Sequence, residues 1–187
     1  MLGRTTVDYA WRVLERELRK DMQTVTPEGQ AVAPLIHGVL VRPQPTQTDG
    51  RGTLCEILDL RWGLTDDPIV SVYEFTIRPG KAKGWHIHRL HDDRIFISRG
   101  ELKVVLYDDR DDSPTRGLIN EIYRTELRRD LMVIPRGVFH AHVNVGETDA
   151  LLVSMPTRVY DHTDPDVYRL PLDTDLIPYS FDERTGW

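Results

Sequence analysis

Two short clusters of polar residues have the types and spacing that could support chemistry. In the first cluster, His86 and His88 stand two positions apart, and Asp93 follows five residues later. In the second, His140 follows the sequence Pro-Arg-Gly-Val-Phe, and Asn144 comes four residues after it. Side chains at i and i+2 of a β-strand point to the same face, so one strand would direct the imidazoles of His86 and His88 into one space. Imidazoles held there could serve as general bases or as metal ligands.

The composition excludes several classes of function. The chain has 187 residues, which suits one domain. Its net charge of −6 and sequence pI of about 5.6 argue against non-specific binding to nucleic acid and against a polybasic membrane surface. Cys55 is the only cysteine, so no intrachain disulfide can form. No apolar run approaches the ~20 residues of a membrane span, and the N-terminus has no apolar signal core. We therefore expect a cytoplasmic protein with a small-molecule ligand and no nucleic-acid or membrane partner.

The spacing within both clusters resembles the two motifs of the cupin superfamily. Residues 80–100, GKAKGWHIHRLHDDRIFISRG, are similar to G-x5-H-x-H-x4-E-x6-G, with Asp93 in place of the usual glutamate. The second cluster resembles G-x5-P-x-G-x2-H-x3-N, with Arg129 at the first glycine. Longer stretches, DGRGTLCE, KGWHIH, YDDRDDSPTRG and IPRGVFHAH, resemble the dTDP-4-dehydrorhamnose 3,5-epimerase family, which is itself cupin-shaped. This resemblance covers roughly residues 35–181.

A pattern of short strands runs through the same region. Strand-forming segments are separated by turn signals at a spacing of about 8–12 residues, which is typical of a sandwich or barrel. Residues 43–52 are predicted to be a loop, because prolines and glycines are concentrated there. Together with the resemblance, the pattern predicts an all-β fold, a cupin-type double-stranded β-helix or jelly-roll barrel. The predicted strands are 36–42, 54–60, 69–78, 85–89, 94–98, 101–107, 119–124, 131–134, 139–144 and 150–155.

One α-helix is predicted before the barrel, over Thr5 to Thr24, because apolar residues fall on one helical face. We expect residues 1–34 to form this helix and a connection, and residues 35–187 to form the cupin domain, within a single domain overall. Residues 160–187 are predicted to wrap the barrel as coil. The resemblance implies a homodimer, because the family exchanges N-terminal strands between subunits, and the apolar stripe also needs a partner surface. The stripe consists of Val7, Trp11, Leu14, Leu18 and Met22.

The resemblance implies an epimerase or isomerase that acts on a nucleotide-linked 4-keto-6-deoxy sugar without a cofactor. Inverting a carbon next to a ketone needs a base on one face, stabilisation of the enolate oxygen, and an acid on the other face. By resemblance, His86 is the base, and Asp173 is the carboxylate that fixes its tautomer.

The acid and the binding residues are also carried over by resemblance. The family tyrosine that acts as the opposite-face acid falls at Ser154, and serine is a poor proton donor near neutral pH compared with tyrosine. Tyr160 matches a second family tyrosine and is the predicted substitute. The residues expected to contact the sugar or nucleotide are Arg51, Glu56, Lys83 and His140.

Two alternatives remain open from the sequence. In the first, His86, His88, Asp93 and His140 match the four ligand positions of metal-binding cupins, and the chain is a metal-dependent isomerase or dioxygenase. Three imidazoles and a carboxylate suit one divalent Fe, Mn, Ni or Zn ion. In the second, the chain is a non-catalytic cupin that binds a sugar. His91, His142 and His162 are interpreted as surface or supporting residues.

Overall fold

The computed structural model describes residues 21–29 and 31–181. The predicted N-terminal helix lies outside the described residues, except for 21–24, which are not helical, so the helical part of the fold prediction is unsupported. The chain divides into two compact units, residues 1–34 and 35–187. In the described part of the first unit, Val25 and Ala31 form an isolated antiparallel bridge. Within the described ranges, no helix is both long enough and apolar enough to span a bilayer.

The second unit consists of short antiparallel strands, which confirms the all-β prediction. One short 3₁₀ helix, Leu60–Trp62, interrupts the described strands. The strands are β1 Leu40–Pro43, β2 Thr46–Asp49, β3 Gly52–Cys55, β4 Tyr73–Ile77, β5 Ala82–Ile87, β6 Asp93–Arg99, β7 Glu101–Asp108, β8 Ile119–Thr125, β9 Asp130–Ile134, β10 Val138–Asn144, β11 Ala150–Ser154 and β12 Tyr168–Arg169.

The strands form two five-stranded sheets and one hairpin. The first sheet has the order β1-β9-β6-β11-β4, the second has the order β12-β5-β10-β7-β8, and β2 pairs with β3. Consecutive strands such as β4 and β5, β6 and β7, and β9 and β10 belong to different sheets, so the chain crosses repeatedly from one sheet to the other. This connectivity is that of the predicted jelly-roll barrel.

The main core lies between the two sheets. Leu102, Val104 and Leu106 of β7 face this core, together with buried residues of β4, β6, β9, β10 and β11. Val105 and Tyr107 of β7 point to the opposite side, where they pack with residues of the C-terminal segment. Side chains alternate between the two faces of a strand, so β7 is buried on both of its faces and reads as a nearly continuous apolar run.

One close backbone approach brings β5 and β10 together beneath the polar clusters. A Cβ atom on Gly84 would lie 2.4 Å from the Cβ atom of Ala141, so only glycine allows the two strands to come this close. The pairing places His140 opposite His86, and a register shift follows between His140 and His142. The sequence of β5 therefore fixes how near the two histidine clusters can be.

The first part of the predicted strand pattern differs from the structure. The strand predicted over 36–42 begins only at Leu40, and the predicted loop over 43–52 contains β2. All four residues of β2 are exposed, so the strand has no apolar alternation that would reveal it. The strand predicted over 54–60 ends at Cys55, and the strand predicted over 69–78 begins only at Tyr73.

Candidate active site

A cavity of about 520 Å³ opens between the two sheets. One wall carries Lys83 and His86 of β5 with His140 and His142 of β10, and the facing wall carries residues of β4 and β6. Segments after β11 complete the lining. The other lining residues are Ser71, Tyr73, Phe75, His88, Asp93, Ile95, Tyr160, His162, Val167 and Arg169.

The Asp93 carboxylate lies at the centre of three imidazoles at the base of the cavity. Its Oδ2 atom is 3.2 Å from Nε2 of His88 and 3.5 Å from Nε2 of His140, and its Oδ1 atom is 3.6 Å from Nε2 of His91. All four residues are buried. The structure therefore brings together His88, Asp93 and His140, three of the four residues predicted as alternative metal ligands, and His91 joins them unexpectedly.

Asp166, from the C-terminal segment, holds two of these imidazoles from the other side. Its carbonyl oxygen is 2.6 Å from Nδ1 of His88, and its carboxylate is 2.8 Å from Nδ1 of His91. The same carboxylate accepts hydrogen bonds from the backbone N–H groups of Arg89 and Leu90, at 3.0 and 2.8 Å. Asp166 therefore fixes both the turn after β5 and the orientation of the histidines in that turn.

The charges of His88 and Asp93 support each other. Burial opposes ionisation of His88, but the Asp93 carboxylate and the Asp166 carbonyl outweigh it and raise the pKa of His88. Burial also opposes ionisation of Asp93, but hydrogen bonding with His88 and the neighbouring imidazoles keep its pKa well below the usual value. Burial lowers the pKa of His140 to about 4 and that of His142 to about 3. The structure thus favours a His88 imidazolium beside an Asp93 carboxylate, with His140 and His142 neutral.

His86 stands apart from this pair and is also neutral. Burial, followed by the charges of His140 and Arg169, lowers the pKa of His86 to about 2. Its Nε2 atom contacts Nη1 of Arg169, so the imidazole lone pair accepts from the guanidinium. A neutral imidazole is the form that a general base requires. In this arrangement a substrate would have to take the place of Arg169 at the lone pair before His86 could remove a proton.

The predicted site residues fall into two groups. His86, His88, Asp93, His140, Lys83 and Tyr160 line the cavity. Arg51 lies in the turn between β2 and β3, where it is exposed and pairs with Asp49 at 2.6 Å, and Glu56 is exposed just after β3. Asp173 is exposed too, and no hydrogen bond or ion pair joins it to His86 within the described residues. The roles carried over for these residues stay predictions.

Two histidines that were interpreted as surface or supporting residues are buried: His142 lines the cavity, and His91 lies beside Asp93. His91 is 8% exposed and His142 is 3% exposed. The Nε2 atom of His142 is buried without a hydrogen-bond partner, and so is Oδ1 of Asp93. The spacing of His142 from His140 repeats the spacing of His88 from His86, and this repetition was a usable signal. His162 is exposed, as interpreted.

The fit to a metal ion involves fewer residues than predicted. The ligand atoms of His88, Asp93 and His140 all lie within 4.8 Å of one another, and a second set of similar size contains His88, His91 and Asp166. Two imidazoles and a carboxylate suit a divalent transition metal, and the Oδ1 atom of Asp93 is buried without a hydrogen bond. His86 belongs to neither set, so the geometry fits three of the four predicted ligands.

The buried neutral imidazoles predict a loss of stability in acid. The ordinary histidine pKa of 6.5 exceeds the values of about 4 and about 3 held by folded His140 and His142. The contribution of these two neutral imidazoles to the free energy of unfolding is complete above pH 6.5. It is lost as the pH falls toward their pKa values in the folded protein. Urea unfolding should therefore give a free energy lower by roughly 2 kcal/mol for each group at pH 5 than at pH 7.5.

The raised pKa of His88 acts in the opposite direction and offsets part of this loss. His142→Gln should show a smaller difference between the two pH values than the unchanged protein. His37→Gln, at an exposed position, is the matched control and should keep the full difference. An unfolding free energy that is equal or higher at pH 5 would contradict the assignment of neutral, buried imidazoles.

Comparison with known proteins gives relatives of two kinds: glycan and polysaccharide biosynthesis proteins, and oxalate oxidases at 26–28% identity, of which this chain covers only 51–58%. No protein-family model matches the chain. The probable low-salt glycan biosynthesis epimerase Agl13 of Haloferax volcanii is 36% identical over 142 residues, which is 75% of this chain and 90% of that protein. The crystal structure of a dTDP sugar isomerase from Desulfovibrio desulfuricans G20 has a TM-score of 0.71 and 26% identity, and it covers 79% of this chain and 94% of the other.

The fold of the named family is also matched directly. The crystal structure of dTDP-4-dehydrorhamnose 3,5-epimerase from Bacillus anthracis has a TM-score of 0.71 at 14% identity, covering 83% of this chain and 93% of the other. The similarity in sequence to Agl13 extends over most of both proteins. The chain therefore belongs to the family of glycan biosynthesis epimerases represented by Agl13, and it has the fold of the dTDP-sugar epimerases and isomerases.

Proposed function

We propose that the protein is an epimerase or isomerase that removes and returns a proton at a carbon next to the ketone of a nucleotide-linked 4-keto-6-deoxy sugar. The observation that carries this proposal is the neutral imidazole of His86 in a cavity open to solvent. The names of the relatives, a glycan biosynthesis epimerase and a dTDP sugar isomerase, support this class of substrate.

The first step uses the His86 imidazole as the base. Its lone pair takes the α-proton, the electrons of the carbon–hydrogen bond form a carbon–carbon double bond, and the ketone oxygen becomes an enolate. Lys83 has its Nζ atom 5.0 Å from the centre of the Phe75 ring, inside the same cavity, and its positive charge would stabilise the enolate or a phosphate of the substrate. This chemistry needs no cofactor, because the side chains supply the base and the charge.

The proposal is tested by solvent exchange on a keto sugar. The unchanged protein is incubated in D₂O with dTDP-4-keto-6-deoxy-D-glucose, and proton NMR follows the signals of the carbons next to the ketone. We expect deuterium to enter at one or both carbons much faster than in buffer alone. Exchange no faster than in buffer would overturn the proposed function.

A second candidate function rests on the buried set of His88, Asp93 and His140. These residues would hold one divalent metal ion, and the ion would supply Lewis-acid polarisation of a carbonyl oxygen when bound. Elemental analysis of protein purified without a chelating column separates the two candidates. Two results together would favour a metal-dependent cupin over the epimerase: one metal ion per chain, and loss of activity when this ion is removed.

We further propose that the protein works as a homodimer in the cytoplasm. Arg51 and Glu56 lie outside the cavity of their own chain, so contact with a nucleotide, as the resemblance implies, is more easily made in the site of a partner subunit. Light scattering at micromolar concentration should give the mass of a dimer. A monomer under these conditions would contradict this part of the proposal.

A further inference from the structure

The cavity contains a tyrosine that the sequence comparison did not single out. Tyr73 begins β4, and its ring lies 6.3 Å from the ring of Phe75 two residues later. The Phe75 ring in turn lies 6.2 Å from the imidazole of His142, edge-on. Residues at i and i+2 share one face of a strand, so Tyr73 and Phe75 both face into the cavity, whereas Glu74 between them is exposed on the other face.

Tyr73 and His86 come from opposite walls. Tyr73 belongs to the sheet that contains β4, β6 and β11, and His86 belongs to the sheet that contains β5 and β10. Both side chains line the same cavity. A sugar ring bound between the two sheets would therefore have His86 on one side and Tyr73 on the other, which is the relation that inversion of a carbon requires of its base and its acid.

Ser154 cannot fill the role of the acid. It is fully buried, and a serine hydroxyl is a much weaker acid than a tyrosine phenol. The register of β4 and β11 pairs Ser154 directly with Tyr73. The phenol of Tyr73, a stronger acid, thus lies beside this position, and at 47% exposure it can recover its proton from solvent.

The protonation state of Tyr73 suits a proton donor. Partial burial raises its pKa above the usual value; a hydrogen bond with Ser154 opposes this rise, and the charges of Asp93 and Tyr160 add to it. The phenol therefore carries its proton at neutral pH and is ready to donate it.

We propose that Tyr73 is the catalytic acid that returns a proton to the face of the sugar opposite His86. This inference rests on the proposed function. After His86 has taken the α-proton, the Tyr73 hydroxyl gives its proton to the enolate carbon from the other side. The double-bond electrons form the new carbon–hydrogen bond, and the enolate oxygen becomes a ketone again. The phenolate then takes a proton from solvent, His86 releases its proton to solvent, and the carbon has inverted.

The test separates proton removal from inversion. With the same dTDP-4-keto-6-deoxy-D-glucose in D₂O, Tyr73→Phe should still exchange the α-proton within a few-fold of the unchanged rate. His86 can return deuterium to the face from which it took the proton, so the sugar keeps its configuration. Inversion should fall by about 100-fold or more, as expected for loss of a general acid. Retained exchange also demonstrates that the Tyr73→Phe variant is folded and binds its substrate. If Tyr73 had only a structural role, exchange and inversion would fall together.

Two further substitutions are compared with Tyr73→Phe: a matched control and a replacement of the other candidate acid. Tyr123→Phe removes a hydroxyl at an exposed position of β8 and should leave both rates unchanged. Tyr160→Phe tests the acid predicted from the sequence. The proposal is overturned if Tyr73→Phe inverts at the unchanged rate, if it loses exchange and inversion together, or if Tyr160→Phe alone loses inversion. If the unchanged protein itself fails to exchange the α-proton, the proposed function is wrong.

Discussion

Replacing His86 by asparagine should abolish exchange of the α-proton of dTDP-4-keto-6-deoxy-D-glucose. The His86 imidazole is neutral and lines the cavity, and its Nε2 lone pair is directed at the guanidinium of Arg169, which lines the same cavity. Loss of a general base typically costs about 10²–10⁴-fold in rate. The initial rate of deuterium uptake, followed by proton NMR, measures the effect.

His37→Asn is the matched control, because His37 is exposed and its only described hydrogen bonds use the backbone. This control should keep the unchanged rate. A His86→Asn protein that exchanges as fast as the control would exclude His86 as the base. Asp173→Asn belongs in the same series, since a carboxylate that fixes the tautomer of His86 would cost up to about 10⁴-fold when removed. Its exposed position favours a much smaller effect.

Replacing Asp93 by asparagine should cause the largest loss of stability. The change leaves the imidazolium of His88 buried without its anionic partner at 3.2 Å. Breaking a buried ion pair from one side typically costs about 3–5 kcal/mol in the free energy of unfolding. Urea unfolding at pH 6 measures it, with Asp149→Asn at an exposed position as the control that should change little.

The pH dependence of the stability lost in Asp93→Asn shows whether a broken ion pair is the cause. The pKa of His88 is raised in the folded protein, so its stabilising charge is present below pH 6.5 and is lost as the pH rises through the raised value. The destabilisation by Asp93→Asn should therefore be smaller at pH 9 than at pH 6. An equal loss at both values would indicate a packing defect and not a broken ion pair.

The activity of the folded Asp93→Asn protein also separates the two candidate functions. In the proposed epimerase, Asp93 shapes the charge of the cavity, and exchange per folded molecule should remain within about tenfold of the unchanged protein. In a metal-dependent cupin, Asp93 is one of three ligands at the buried set, so metal content and activity should fall together.

The sequence alone was sufficient for the all-β fold and for the two strands that carry the histidines of the cavity. Residue spacing identified β6 to β11 closely, because each of these strands has a buried face that leaves an apolar pattern. The strand predicted over 85–89 was displaced, since β5 spans Ala82–Ile87. Residue spacing failed at β2, whose residues are all exposed. A strand without a buried face leaves no periodicity from which it could be predicted.

Only the tertiary structure shows that the two histidines of the first cluster, His86 and His88, have different contacts. The rule that i and i+2 share a face holds only within a strand, and β5 ends at Ile87. His88 therefore lies in the turn and contacts Asp93 and Asp166, whereas His86 remains in the strand and contacts Arg169. Asp166 and Arg169 come from a segment predicted as coil, about 80 residues away in the chain. Tyr73 likewise reaches the cavity because β4 lies in the facing sheet. No local pattern encodes such contacts, since they depend on which strands the fold brings to opposite walls.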